Sequence, residues 1–242
     1  MVSVLYSQDC NGNLGDNIFA DGDFGIGGQN LVLTDPMIAP GYQYTTVVPP
    51  FDGQYVITNG TQFWPNLYDS WLMIGDNSPN TSGYMMVVNA DFEPGDFFSR
   101  TVDGLCPGTT YNFSADVINL IRTGTPDHID PNVSFLLDGQ VVITTGDIPK
   151  NQQWMTFVHT FTTGPTQEQV ELTLRNNAPG GNGNDLALDN IKFEPCGPDM
   201  FVETNPPGRL CVDADSLILI ATVDASGPAF YQWQRSTNNG AS

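Results

Sequence analysis

The residues that could do chemistry in this chain are carboxylates in two segments far apart in sequence, Ala20-Asp21-Gly22-Asp23-Phe24-Gly25 and Gly183-Asn184-Asp185-Leu186-Ala187-Leu188-Asp189-Asn190-Ile191. Carboxylates brought together repel one another unless a cation joins them. Calcium suits such a place, because it takes six to eight oxygens from carboxylates, amides and backbone carbonyls without strict geometry. With no His or Cys beside them, a transition metal is disfavoured. Little else in the chain points to catalysis. Its two histidines are His128, in the polar turn Pro126-Asp127-His128-Ile129-Asp130, and His159, in an alternating stretch. No Gly-x-Ser-x-Gly, Walker-type or His-Glu-x-x-His motif is present. Glycoside hydrolysis needs only two carboxylates at the right separation in space, so sequence spacing neither supports nor excludes it.

A second kind of chemistry is offered by Phe63-Trp64-Pro65-Asn66-Leu67-Tyr68-Asp69-Ser70-Trp71. Sugar rings stack on exposed aromatic faces beside amide and carboxylate hydrogen-bonding groups, and Trp64, Tyr68 and Trp71 are the expected ligand-binding residues. Tyr42 and Tyr44 could join them. The competing reading makes Trp64 and Trp71 core residues beneath a long connection.

The whole chain sets limits on its partners. Across 242 residues, 27 Asp and Glu face 7 Lys and Arg, a net charge of -20. Such a field repels phosphate backbones and anionic lipid and attracts divalent cations, so nucleic acid is not an expected partner. No run of 18 or more apolar residues occurs, so no membrane insertion is expected. Four cysteines, Cys10, Cys106, Cys196 and Cys211, are widely spaced without a Cys-x-x-Cys pair, which speaks against zinc and, in an exported chain, suggests disulfides. Residues 1–9 read as a signal-peptide remnant or as appended residues.

The elements that must position these groups are strands. Period-two or continuous apolar runs recur at Tyr84 to Val88, Phe97 to Val102, Thr110 to Leu120, Val133 to Leu137, Gln140 to Thr144, Trp154 to Thr162, Val170 to Leu174 and Leu186 to Phe193. Turn formers such as Pro107-Gly108, Asp138-Gly139 and Pro179-Gly180-Gly181-Asn182-Gly183 separate them. Many short strands without helices predict an all-β chain: a two-sheet jelly-roll β-sandwich over residues 10–197. A Pro/Gly-rich restart then leads into a partial immunoglobulin-like β-sandwich over 198–242, with strands at Leu217 to Val223 and Phe230 to Gln234. In a jelly roll the first and last strands commonly lie side by side, which would join the two acidic segments into one seam.

Several motifs resemble known families. Asp21-Gly22-Asp23-Phe24-Gly25 resembles the opening of carbohydrate-binding-type jelly rolls, and Asp185 to Ile191 followed by Lys192-Phe193-Glu194-Pro195-Cys196 resembles their ending, shared with MAM domains of adhesion receptors. Trp71 to Ser78 with Gly83-Tyr84-Met85 is similar to a MAM-like stretch, and Gly104 to Leu120 to a strand of the same jelly rolls. Tyr231-Gln232-Trp233-Gln234 is similar to repeats of large secreted surface proteins of Bacteroidota.

The resemblance implies a structural calcium held by Asp23, Asp76 and Asp189, with Asp21 and Asn190 as weaker candidates. Gly25 stands where the family usually has Glu, and Asn190 where a second Asp is common. It also implies a non-catalytic, secreted or cell-surface adhesion module of a larger protein, exported through the type IX secretion machinery. The alternative is a carbohydrate-binding module of a polysaccharide-degrading enzyme, with surface glycans or extracellular polysaccharide as partner. If the terminal strands run antiparallel, Cys10 falls opposite Cys196 and Cys106 stays free. Cys10 with Cys106 is the rival pairing, since connectivity is not readable from sequence.

Overall fold

The computed structural model describes residues 10, 14–20, 22–78, 82–197, 200–205 and 218–223. Residues 1–9, Asp21, Cys211 and the expected strand around Trp233 lie outside them. The strands are β1 (Gln43–Tyr44), β2 (Gln54–Thr58), β3 (Met85–Asn89), β4 (Gly95–Asp103), β5 (Thr110–Asn119), β6 (Asn132–Leu137), β7 (Gln140–Asp147), β8 (Met155–Thr162), β9 (Gln169–Asn176), β10 (Leu186–Pro195), β11 (Met200–Asn205) and β12 (Ile218–Val223). No helix occurs among the described residues. The chain divides into two compact units, residues 14–196 with Cys10 in one and 197–242 in the other. In the second unit, β11 pairs antiparallel with β12.

The larger unit is a two-sheet β-sandwich. Six strands in the order β1-β2-β3-β10-β5-β8 face four in the order β4-β9-β6-β7. The core between them joins Met86, Val88, Phe113 and Phe193 of the first sheet to Phe98, Phe135, Leu172 and Leu174 of the second. In the smaller sheet β9 shows the expected alternation: Val170, Leu172 and Leu174 are buried while Glu171 and Arg175 face solvent. The turn after β6 is also as its sequence demands, with Asp138 and Gly139 both at positive φ, the conformation of a two-residue hairpin that matches strand twist.

The inner strands of the larger sheet do not alternate. Every residue of β3 is buried, and so is nearly all of β5. Both faces are covered: Met86 and Val88 point into the sandwich, while Met85 and Val87 join a second apolar cluster with Val56, Ile118, Leu120 and Ala187 on the outer face. The cover is the connection from Asn59 to Gly75, whose Trp64, Trp71 and Leu72 complete that cluster. Main-chain bonds dock it, from Leu72 N to Leu120 O (2.8 Å) and from Arg122 N to Ser70 O (2.8 Å). Trp64 is 7% and Trp71 1% exposed, so the expected aromatic platform is corrected at both tryptophans: they are core, because an apolar outer face must be shielded from water.

The acidic seam is built by an irregular segment rather than by a first strand. β10 has β5 on one side throughout, but β3 pairs only with Leu186 to Leu188 on the other. Beyond that point residues 14–22 take over: Ile191 N donates to Gly22 O (2.9 Å), Ile18 N to Phe193 O (2.9 Å) and Gly15 N to Pro195 O (2.9 Å). Leu14 bridges antiparallel to Cys196. Cys10 and Cys196 form a disulfide across 186 residues, with Cα atoms 5.8 Å apart. Cys106 is free and exposed.

Candidate functional site

Two polar constellations lie on the sandwich. The first is an open cavity of about 240 Å³ at the end of the covering connection, lined by Asp52, Tyr68, Asn89, Phe92, His128 and Asn182, with Trp71 and Asp185 beneath them. Its walls are loops pinned to one another. Ile129 N donates to Asn182 O and Asn184 N to Ile129 O, both at 2.8 Å, and Gly180 N donates to Phe92 O at 2.8 Å. These approaches require glycine: a Cβ on Gly180 would stand 2.0 Å from Phe92 Cα, and one on Gly183 2.7 Å from Ile129 O, at a φ of 96°. The floor is set by Asp185. Its Oδ2 accepts the indole Nε1–H of Trp71 (2.9 Å) and its Oδ1 the amide of Ala90 (3.0 Å). Burial pushes its carboxyl up to about 7, the two bonds from Ala90 and Trp71 pull it back, and the charge of Asp52 pushes it further.

Around that floor the lining groups face the open cavity. Phe92 is 62% exposed, Asp52 is exposed, and Tyr68 is half-buried with its hydroxyl donating to Pro50 O (3.2 Å). His128 Nδ1 lies 2.7 Å from Pro126 O. A carbonyl can only accept, so Nδ1 carries the proton in this contact. The cavity thus offers aromatic surface beside carboxylate, amide and imidazole groups. Of the expected ligand residues, the structure puts Tyr68 and the buried indole of Trp71 here and leaves Trp64 in the outer core, its Nε1 without a hydrogen-bond partner. That Asp52, Asn89, Phe92, His128 and Asn182 share one cavity was not legible in the sequence. Each sits in a turn or at a strand end, and no periodicity reports which turns converge.

The second constellation is the seam. Asp189 is fully buried, and its Oδ2 accepts Asn77 N (2.6 Å) while its Oδ1 accepts Asn190 N (2.7 Å). Burial first, then the charges of Asp76 and Asp116, push its carboxyl up to about 7 against those two bonds. Asp116, which the sequence reading passed over, pairs directly with Asp189 across β5 and β10. Its Oδ1 accepts Thr156 Oγ1 (2.6 Å), and its Oδ2 accepts the side-chain amides of Asn77 (2.7 Å) and Asn190 (2.9 Å). Asp76 accepts the amide of Ser78 at 3.1 Å and its hydroxyl. Asp23 turns back into its own loop, where its Oδ1 accepts Gly25 N (3.0 Å). The three motifs do meet, through Ile191 N to Gly22 O and Tyr84 N to Gly25 O (3.1 Å). Among the described residues no three His, Cys, Asp or Glu side chains form a ready ligand set, and Asp21 lies outside them.

No family model and no curated protein matches the chain. Among solved structures it is similar to the EclA C-terminal domain, described as a sugar-binding protein, at 21% identity and a TM-score of 0.34, over 44% of this chain and 80% of that one. It is similar to a family 16 carbohydrate binding module at 19% identity and a TM-score of 0.31, over 56% and 92%. A cyclase from Fischerella sp. TAU aligns at 14% identity and a TM-score of 0.44, over 76% and 96%.

Proposed function

We propose that the sandwich is a non-catalytic binding module whose ligand is a glycan held in the cavity between Phe92 and His128. The observation that carries this reading is the convergence, in one open cavity, of exposed aromatic surface with carboxylate, amide and imidazole groups from five separate loops. Sugars need this combination, a ring face to stack and hydroxyls that both donate and accept. Hydrolysis of the glycan would need a second carboxylate free to donate a proton. Asp185 is raised into the right range, but it is only 6% exposed and each of its oxygens is held by a buried N–H, which favours a structural role.

The test is a glycan array followed by calorimetry, with release of reducing ends measured alongside. Phe92→Ala should weaken binding about tenfold, the worth of one stacked ring, with an unchanged melting temperature because Phe92 is mostly exposed. Absence of any glycan signal at millimolar concentration would remove the reading, and release of reducing ends would replace it with catalysis.

The wider proposal is an extracellular or cell-surface adhesion module of a larger protein. The Cys10–Cys196 disulfide supports an oxidising compartment, and export by type IX machinery rests on the resemblance of the terminal segment. Calcium at the seam belongs to the same proposal, supported by a fully buried Asp189 facing the charges of Asp76 and Asp116. Because the ion would bind the folded chain alone, millimolar calcium should raise the melting temperature by several degrees and a chelator should reverse it. Identical melting curves in calcium and in chelator would leave the seam as a hydrogen-bonded clasp without metal.

A further inference from the structure

The chain has only seven basic residues, and one of them faces inward. In β4 the buried side chains are Phe97, Phe98 and Val102, and after the irregularity between Asp96 and Phe98 the alternation places Arg100 on the same face as Phe98 and Val102. Strand β4 is the edge of its sheet, covered by residues 36–41 through bonds from Ser99 N to Ile38 O (2.6 Å) and Gly41 N to Asp96 O (3.0 Å). Among the described residues Arg100 makes no ion pair, although acids outnumber bases almost fourfold. One of its nitrogens, Nη2, donates to Pro36 O at 2.7 Å.

Arg100 lines a cavity of about 220 Å³ between the two sheets, whose other walls are Phe19, Phe24, Val32, Ile38, Ile57 and Phe98. This cavity shares no residue with the one proposed to hold a glycan. A void of about 150 Å³ lined by such side chains stays dry and accepts benzene, so this one has room for a ring with a short arm. A guanidinium at the side of an apolar chamber, with donors beyond the single backbone contact, matches one ligand chemistry: an apolar body ending in a carboxylate, which arginine binds through paired N–H donors. The field of the net charge of -20 opposes polyanions. That restricts the ligand to one negative charge.

We propose that the inter-sheet cavity at Arg100 binds a small apolar monocarboxylate, the hydrocarbon lying among Phe19, Phe24, Ile57 and Phe98 and the carboxylate on the guanidinium. The structural alternative is an inward arginine that protects a sheet edge from pairing with other chains. The two differ in how the cavity treats charge. Calorimetry of the intact chain with hydrocinnamate, and with hydrocinnamyl alcohol of the same shape, should show the acid bound at least about tenfold more tightly, the worth of a hydrogen bond to a charged group. Arg100→Met should erase that preference while the alcohol still binds. Val32→Trp, which fills the cavity and leaves Arg100 in place, should abolish binding of both. Equal affinity for acid and alcohol in the unaltered chain, or no binding of the acid at millimolar concentration, would overturn the proposal whether or not either variant folds.

Discussion

Replacing Trp71 by alanine should destabilise the sandwich by about 3–5 kcal/mol, the range for deleting a large buried aromatic. The residue is 1% exposed, packs edge-on against Tyr68 with ring centroids 5.1 Å apart, and anchors the segment that covers the outer face of the six-stranded sheet. Trp71→Phe separates packing from hydrogen bonding. It keeps most of the ring but leaves Asp185 Oδ2 without the indole donor. The sign of the pH effect follows from linkage. Asp185 titrates at about 7 when folded against 3.8 unfolded, so its contribution is fully present below the unfolded value and is lost as pH rises through 7. Losing the Trp71 bond raises the folded value further, which extends that loss to higher pH. The destabilisation by Trp71→Phe should therefore be larger at pH 8 than at pH 5, by about 1–2 kcal/mol, since the bond is strongest to the ionised form. Chemical denaturation at both pH values measures it, and equal values would mean that Asp185 is not ionised in the folded chain at either.

Opening the Cys10–Cys196 disulfide should cost a comparable amount for a different reason. The bond closes a loop spanning 186 residues, and the chain-entropy estimate for a loop that long is about 5 kcal/mol, acting on the unfolded state. Its folded-state role is local. It holds the segment that lies against β10 where β3 has ended, so the double variant Cys10→Ser/Cys196→Ser should also expose the amides of Gly15 and Ile18 to hydrogen exchange. A variant whose denaturation midpoint matches that of the unaltered chain would show that main-chain bonds of residues 14–22 suffice. Cys106→Ser, exposed and free, serves as the neutral control.

The disulfide and Trp71 mark the two sides of what could be read in advance. Strand positions were legible because period-two patterns and turn residues are local: β4 to β10 fall within a few residues of their apolar runs, and Asp138-Gly139 dictates its own hairpin. Strands β1 and β2 were not, since Gln43–Tyr44 is too short to show a period and Gln54–Thr58 is buried at four of its five positions. The run Met85-Met86-Val87-Val88 held a signal that could have placed the tryptophans. A strand with no polar alternation has two faces to bury, and the aromatic segment just before it was the natural cover.

What the sequence determined by itself was the class of the fold, the excess of acidic over basic residues, and the two motifs whose meeting forms the seam. Those follow from the composition and from patterns spanning a few residues. Tertiary structure alone decided that Trp64 and Trp71 are core, that Asp116 rather than Asp23 faces Asp189, that Phe92 and His128 share a cavity, and that Arg100 turns inward. Each depends on which surfaces two sheets and a long connection press together. Such choices are made by burial and by hydrogen bonds between distant residues, such as Trp71 and Asp185, 114 positions apart, beyond the reach of any local pattern.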